Sequence, residues 1–322
     1  MLLAAHEINA FGNSGGELVG NTPHLVIPES VQEAARQELG PLFAAISRSD
    51  PETVMREHLD ASRAIMRAEI LGRYVSLQGK KLLEVGSGFG TNLAMWLKLF
   101  DLDGYGVEPD RGGFVASFRG SREIFAANQL DSSRILPAVG EKLPFADCSF
   151  DIVYSANVLE HTDDPAQVMS ECLRVLRPKG IFHFEVPNFL SWFEGHYMVF
   201  QPPILSRWML PFWIRYIYGR DPAYAKTLRT YINPVWLRRT LNRISRQYPL
   251  TIVSTGEELF LERFARPFRF EMTRTGRKLE TLVLMAQKLN VGNWIGRSIV
   301  LLKGHYPLFF TVRREDIERM AS

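Results

Sequence analysis

The chain has 322 residues, 46% hydrophobic and 23% charged, with a formal net charge of +3. That balance excludes a disordered or collagen-like polymer and supplies a sizeable core, enough for roughly two domains or one core with an insertion. Thirty-eight cations against thirty-five anions do not in themselves mark a nucleic-acid binder. Two cysteines, Cys148 and Cys172, rule out a disulfide framework and suit a reducing cytosol. Met1 to Gly15 contains Glu7 and no basic start before its apolar stretch, so it does not read as a secretory signal. No uncharged apolar run reaches the ~18 residues of a membrane span, and a cytoplasmic location is expected.

In chain order, the first ~50 residues mix Gly, Asn, Ser and Pro with short apolar patches and read as a loosely structured arm. Asp50-Pro51-Glu52 then predicts a helix start, with Asp as the N-cap and Pro in the first turn, and helical spacing runs on to about Tyr74. Lys81 to Val85 is a short apolar run of the kind that forms a buried parallel strand. Further strands are expected over 104–108, 134–139, 150–154 and 181–186, with helices near 90–100, 111–128 and 165–177. Asp164-Pro165 starts the last helix and Pro178-Lys179-Gly180 is expected to end it. This alternation predicts an α/β fold, a doubly wound and mostly parallel sheet with helices on both faces and a ligand at the carboxyl ends of the strands. The alternation stops after Asn188 and strand-like runs return at 250–253 and 307–312. The expected divisions are an N-terminal arm and helix (1–75), a ligand-binding core (76–187), an insertion forming a lid (188–247) and C-terminal strands with a frayed, charged tail from Arg313 (248–322).

Where the first strand hands over to a helix stands Glu84-Val-Gly86-Ser87-Gly88-Phe-Gly90. Glycines there let backbone approach a ligand, and the helix N-terminus beyond offers free N–H donors. The third glycine comes one residue too early for a dinucleotide fingerprint, which disfavours a nicotinamide-dependent oxidoreductase. Eighteen residues past Gly90, Tyr105-Gly-Val-Glu108-Pro109 puts a carboxylate at the end of the second strand, suited to accepting from both hydroxyls of a ribose. A nucleoside ligand whose phosphates are unimportant or absent fits this arrangement.

These residues resemble the class I methyltransferases that use S-adenosylmethionine. Glu141-Lys-Leu-Pro144-Phe145, Phe150-Asp151-Ile-Val153, Asn157-Val-Leu-Glu160-His161 and Leu176-Arg-Pro178-Lys-Gly180 follow in the family's order and spacing. The resemblance spans residues 80–187 and implies a Rossmann-like seven-stranded sheet. It also implies that S-adenosyl-L-methionine is bound and S-adenosyl-L-homocysteine released. By that likeness Gly86, Ser87, Gly88 and Gly90 line the cofactor, Glu84 orients its amino group, and Glu108 with Pro109 meets the ribose. Gly140 and Glu141 edge the adenine, and Asn157 lies near the sulfonium. Family members commonly carry an Asp where this chain has Val139, so adenine recognition falls to Glu141 or the Gly140 backbone. His161 is the expected general base and His196 the alternative. No metal ligand set is read from the sequence.

Residues 192–236 hold twelve aromatics, and residues 207–246 hold nine Lys or Arg against the single acid Asp221. This segment therefore carries +8 and leaves the remainder of the chain near −5. Arg207 and Trp208 belong to this set. Aromatic faces with arginines suit a saccharide on a phosphate-linked lipid carrier, or the interface of an acidic membrane leaflet. Pro187 to Tyr197 resembles insertions in bacterial methyltransferases associated with surface-glycan assembly. The expected acceptor is a small molecule or a lipid-linked saccharide, methylated on oxygen, with peripheral contact at the inner membrane surface. An RNA methyltransferase is disfavoured by the acidic remainder, and a non-catalytic S-adenosylmethionine-binding partner by the intact glycines and carboxylates.

Overall fold

The computed structural model describes residues 23–203, 209–265 and 274–316. Arg207 and Trp208 of the basic aromatic segment, the start Met1 to Gly15 and the end of the tail lie outside the described residues. Nine strands are described: β1 (Lys81–Val85), β2 (Asp103–Glu108), β3 (Ile135–Pro137), β4 (Phe150–Ala156), β5 (Leu176–Val186), β6 (Phe193–Glu194), β7 (Val199–Phe200), β8 (Leu250–Ser254) and β9 (Leu308–Arg314). Seven form one sheet in the order β3-β2-β1-β4-β5-β9-β8, and β6 with β7 makes a separate two-stranded ladder. Neighbours from β3 to β5 run parallel, while β9 lies antiparallel to both β5 and β8. The doubly wound, mostly parallel seven-stranded sheet expected from the sequence is the observed architecture.

Alternation along the central strands builds the two layers. Leu83 and Val85 of β1 pack with Val153 of β4 on one face, with Val168, Cys172 and Val175 of the helix Pro165–Val175. Leu82 and Ile152 turn to the other face, among Leu93, Trp96 and Phe125. Each fully buried leucine contributes about 1.5–3 kcal/mol relative to exposure. Asp164 caps its helix as the sequence predicts, its carboxylate accepting from the N–H groups of Ala166 and Gln167 at 3.0 and 3.1 Å.

Several expectations are corrected. The arm contains an 18-residue helix, Glu29–Ile46, whose residues Val31 and Ala35 belong to the core. Gly40 and Pro41 make it read as loop by composition, yet Gly40 lies where a side chain would press on Pro51 at 2.8 Å. Asn128 fastens the chain ahead of it by bonding both the N–H and the carbonyl of Val26. The helix begun at Pro51 ends at His58, and a second one spans Ser62–Gly72. Asp50 caps the first by accepting from the Thr53 N–H. Pro178-Lys179-Gly180 lies inside β5, next to a register irregularity between Phe150 and Ile152 of β4, so the preceding helix ends at Val175 without it. Arg313 and Arg314, expected to open a frayed tail, belong to β9, and the Arg314 guanidinium donates to the carbonyls of Leu173 (3.0 Å) and Leu176. Three helices, Glu257–Ala265, Arg274–Lys288 and Gly292–Leu301, stand between β8 and β9 where only strands and a tail are expected.

Candidate active site

The glycine turn closes over the end of β2. The N–H groups of Gly86 and Ser87 both donate to the Val107 carbonyl, at 2.9 and 3.0 Å, and Gly90 N–H returns to Ser87 O at 2.8 Å. Gly86 has φ of 73°, and a Cβ on it would meet Val158 Cγ2 at 2.2 Å, so backbone and methyl group already touch there. Gly88 has φ of 54° and open space where its side chain would stand. It is therefore the point of the turn where a ligand can approach bare backbone. Gly90 faces Ser121 and Phe125, and Ser87 is buried against Gly106, so both act in holding the turn's shape.

Two buried carboxyls flank the turn. Glu84 accepts from Asn92 Nδ2 at 2.7 Å through Oε1, while its buried Oε2 has no partner among the described residues. Glu108 accepts from the Gly88 N–H through Oε2 and from Ser117 Oγ through Oε1, each at 2.9 Å. One lone pair on each Glu108 oxygen remains for a ligand donor. Burial pushes both groups up to about 7, against the Asn92 hydrogen bond at Glu84 and the Gly88 and Ser117 bonds at Glu108. Half-buried Arg67, on the helix Ser62–Gly72, holds a cation within electrostatic reach of Glu84, Tyr154 and Glu185.

Pro109 is half-buried directly after β2. Gly140 packs under Val168 and Val85, where a side chain would stand 3.0 Å from Val168 Cγ1. Glu141 braces the loop after β4, its Oε1 accepting from the Asp163 N–H at 2.9 Å and the Asp164 N–H at 3.3 Å. Asn157 closes β4 with φ of 55°, a conformation its short polar side chain tolerates. Its N–H donates to Glu185 O at 2.8 Å and its side chain is exposed at the carboxyl end of the sheet.

Beyond Asn157 the chain gathers a second cluster. Glu160 is fully buried, with both carboxylate oxygens lacking a hydrogen-bond partner among the described residues. His161 Nε2 and His196 Nε2 both point at its Oε1, at 3.7 and 3.8 Å. The two imidazoles meet edge to face at 5.4 Å, and Tyr224 lies against both. His196 Nδ1 is 2.7 Å from Oε1 of buried Glu194. Burial pushes Glu160 up to about 7 against the attraction of His196, and drives His161 down to about 3 with the help of the His196 charge. Burial likewise disfavours charged His196, yet Glu194 and Glu160 outweigh it and raise its pKa. The two candidate bases are thus brought side by side from separate segments. The sequence points to a structural role for Glu160 and to none for Arg67, whereas the Glu160 carboxylate stands between the two histidines. Neither residue sits in a spacing pattern that names a ligand.

The basic aromatic insertion divides in two. Tyr197 is buried, its hydroxyl donating to Asp221 O at 2.8 Å, and Trp213 Nε1 donates to Phe200 O at 2.9 Å. Arg220 is spent on the carbonyls of Ile46 and Tyr197, and Arg229 on Asp163 at 3.0 Å. Trp192, Phe212 and Tyr216 face outward, as do Arg215, Arg238, Arg239, Arg243 and Arg246. No helix among the described residues is long and apolar enough to cross a membrane.

Residues 83–184 match the methyltransferase domain family. An uncharacterised methyltransferase of Mycobacterium avium is 39% identical over 127 residues, covering 39% of this chain and 47% of that protein. One from Mycobacterium marinum is 34% identical over 142 residues, covering 43% and 51%. The chain thus spans about half the length of the curated relatives it matches. Among solved structures, phosphoethanolamine N-methyltransferase 2 of Haemonchus contortus is 16% identical with a TM-score of 0.46, over 77% of this chain and 51% of that one. The YcgJ protein of Bacillus subtilis is 13% identical with a TM-score of 0.42, over 76% and 96%. Residues 83–184 are thus similar to a methyltransferase domain, the family that the sequence motifs resemble.

Proposed function

We propose that this protein is an S-adenosylmethionine-dependent methyltransferase that modifies an oxygen of a small-molecule or lipid-linked saccharide acceptor. The observation that carries the reading is the pair of buried carboxyls, Glu84 and Glu108, on either side of a glycine turn that is open at Gly88. The residues fit the cofactor. Glu108 keeps acceptor capacity for ribose hydroxyls, and the unpartnered Oε2 of Glu84 suits the ammonium of the methionine moiety. Asn157, at the end of β4, would edge the sulfonium, and Pro109, Gly140 and Glu141 would border the base. When bound, S-adenosylmethionine supplies a methyl group already activated by its sulfonium charge. What the chain must add is alignment of the acceptor and removal of its hydroxyl proton. His161, kept neutral by its surroundings, can accept that proton at a ring nitrogen, with His196 beside it as the alternative.

The outward Phe212 and Tyr216, with Arg215 on the same short helix Met209–Tyr216 and exposed Ile217 just after it, support peripheral contact with an acidic membrane surface, where a lipid-linked acceptor resides. The acidic balance of the remainder disfavours a long polyanion as substrate. Isotope-labelled S-adenosylmethionine, incubated with the protein and with soluble and membrane fractions of cell extract, tests the whole reading. Label is expected in one small-molecule or lipid-extractable saccharide species, and His161→Ala slows its appearance ~10²-fold. Label found only in RNA, or nowhere, overturns the assignment.

The buried carboxyls also set a pH dependence. Both have pKa values raised above the ordinary carboxyl value, so their contribution to stability is complete below that value and is lost as pH rises through about 7. A ligand that brings an ammonium to Glu84 and hydroxyl donors to Glu108 favours the ionised forms and recovers that loss. The thermal stabilisation given by S-adenosylhomocysteine should therefore grow from pH 6 to pH 8. A stabilisation that stays level across that range would show that neither carboxyl ionises on binding.

A further inference from the structure

We infer that Glu160, His161 and His196 form a binding site for one divalent transition-metal ion of the zinc type, at the acceptor side of the cleft. One oxygen of Glu160 and one nitrogen from each imidazole lie within 4.8 Å of one another. The two imidazole nitrogens stand 3.7 and 3.8 Å from the same carboxylate oxygen, too far for hydrogen bonds. Ligands bonded at ~2.0–2.2 Å to a tetrahedral ion stand roughly 3.3–3.6 Å apart, so small side-chain shifts close the site around a metal. A buried carboxylate with neither oxygen hydrogen-bonded is costly to maintain, and a cation between the three groups removes that cost.

The surroundings are those of a metal ligand set. Glu194 holds His196 through Nδ1 at 2.7 Å, which leaves Nε2 as the nitrogen facing the cluster. Glu194 is in turn fixed by the N–H groups of His196 and Tyr197, at 3.2 and 2.7 Å. A carboxylate behind a ligating histidine sets its tautomer and strengthens it as a ligand. Two imidazoles with one carboxylate favour zinc and its neighbours over magnesium or calcium. Three protein ligands leave a coordination position for an oxygen of the acceptor.

The metal's presence is independent of the methyltransferase reading, although the acceptor oxygen in the open position rests on that reading. In the metal-free protein His161 remains the proton acceptor, and with the ion bound the two histidines hold it instead. Full-length, tag-free protein, stripped with chelator, equilibrated separately with zinc, manganese and magnesium and then desalted, is assayed for bound metal by mass spectrometry. About one zinc per chain should remain, and no magnesium. Glu160→Gln and His196→Ala should abolish retention. Glu194→Gln, which changes no ligand, should weaken zinc affinity roughly 10–100-fold. Stabilisation by S-adenosylhomocysteine, measured on each variant, reports that the fold and cofactor pocket persist. Wild-type protein that retains no zinc, or variants that retain as much as wild type, overturn the site. Zinc binding without any stabilisation by S-adenosylhomocysteine would leave the metal site standing and remove the cofactor reading.

Discussion

Gly86→Ala should destabilise the protein by about 2–5 kcal/mol and abolish measurable cofactor binding. Two costs add. At φ of 73° an alanine enters the left-handed region, which costs roughly 1–2 kcal/mol for a residue with a Cβ. That Cβ would also lie 2.2 Å from Val158 Cγ2 and 3.0 Å from Cγ1, an overlap worth about 1–3 kcal/mol if the neighbour has to move. Val158 follows Asn157 on the ligand side of β4, so its displacement disturbs the cleft as well as the core. Urea unfolding of Gly86→Ala, Val158→Ala and the double variant separates the two costs. The double variant should recover the steric part and keep the conformational part. Stability of Gly86→Ala equal to wild type would mean that the turn is not held against Val158.

The strands were readable because a strand buried on both faces carries a continuous apolar run, and Lys81–Val85 has the same bounds in sequence and structure. The glycine turn and the acid at the end of β2 were equally legible, since a sharp turn and a strand end restrict which residues can occupy them. What was missed depends on contacts between distant segments. The helix Glu29–Ile46 hides behind an interior Gly40-Pro41, and the glycine is explained only by Pro51 packing over it. Arg314 reads as part of a charged tail until the carbonyls of Leu173 and Leu176 are seen to receive it. Arg67 gains meaning only once its helix is laid beside Glu84 and Glu185. His196 is thirty-five residues from His161 in the chain, and only the turn between β6 and β7 brings it back onto Glu160. Aromatic content in the insertion was legible as composition, but which rings pack inward was decided by the acceptors available to them, such as Phe200 O for both Trp213 and Tyr218.

Removal of the Glu108 carboxylate should weaken S-adenosylmethionine binding by about 1.5–3 kcal/mol, roughly 10–150-fold, the range for a hydrogen bond to a charged group. In Glu108→Ala the Gly88 N–H and the Ser117 hydroxyl also lose their acceptor, so the turn itself loosens. Glu108→Gln separates charge from shape, since the amide keeps one acceptor oxygen but can no longer ionise. Burial raises the wild-type group to about 7, so the free protein holds this carboxylate at a cost in stability above neutral pH. The glutamine variant avoids that cost and should be at least as stable as wild type at pH 8, while binding more weakly. Its affinity should also vary less with pH than that of wild type between pH 6 and 8. An unchanged calorimetric affinity in Glu108→Ala would remove the carboxylate from the cofactor site.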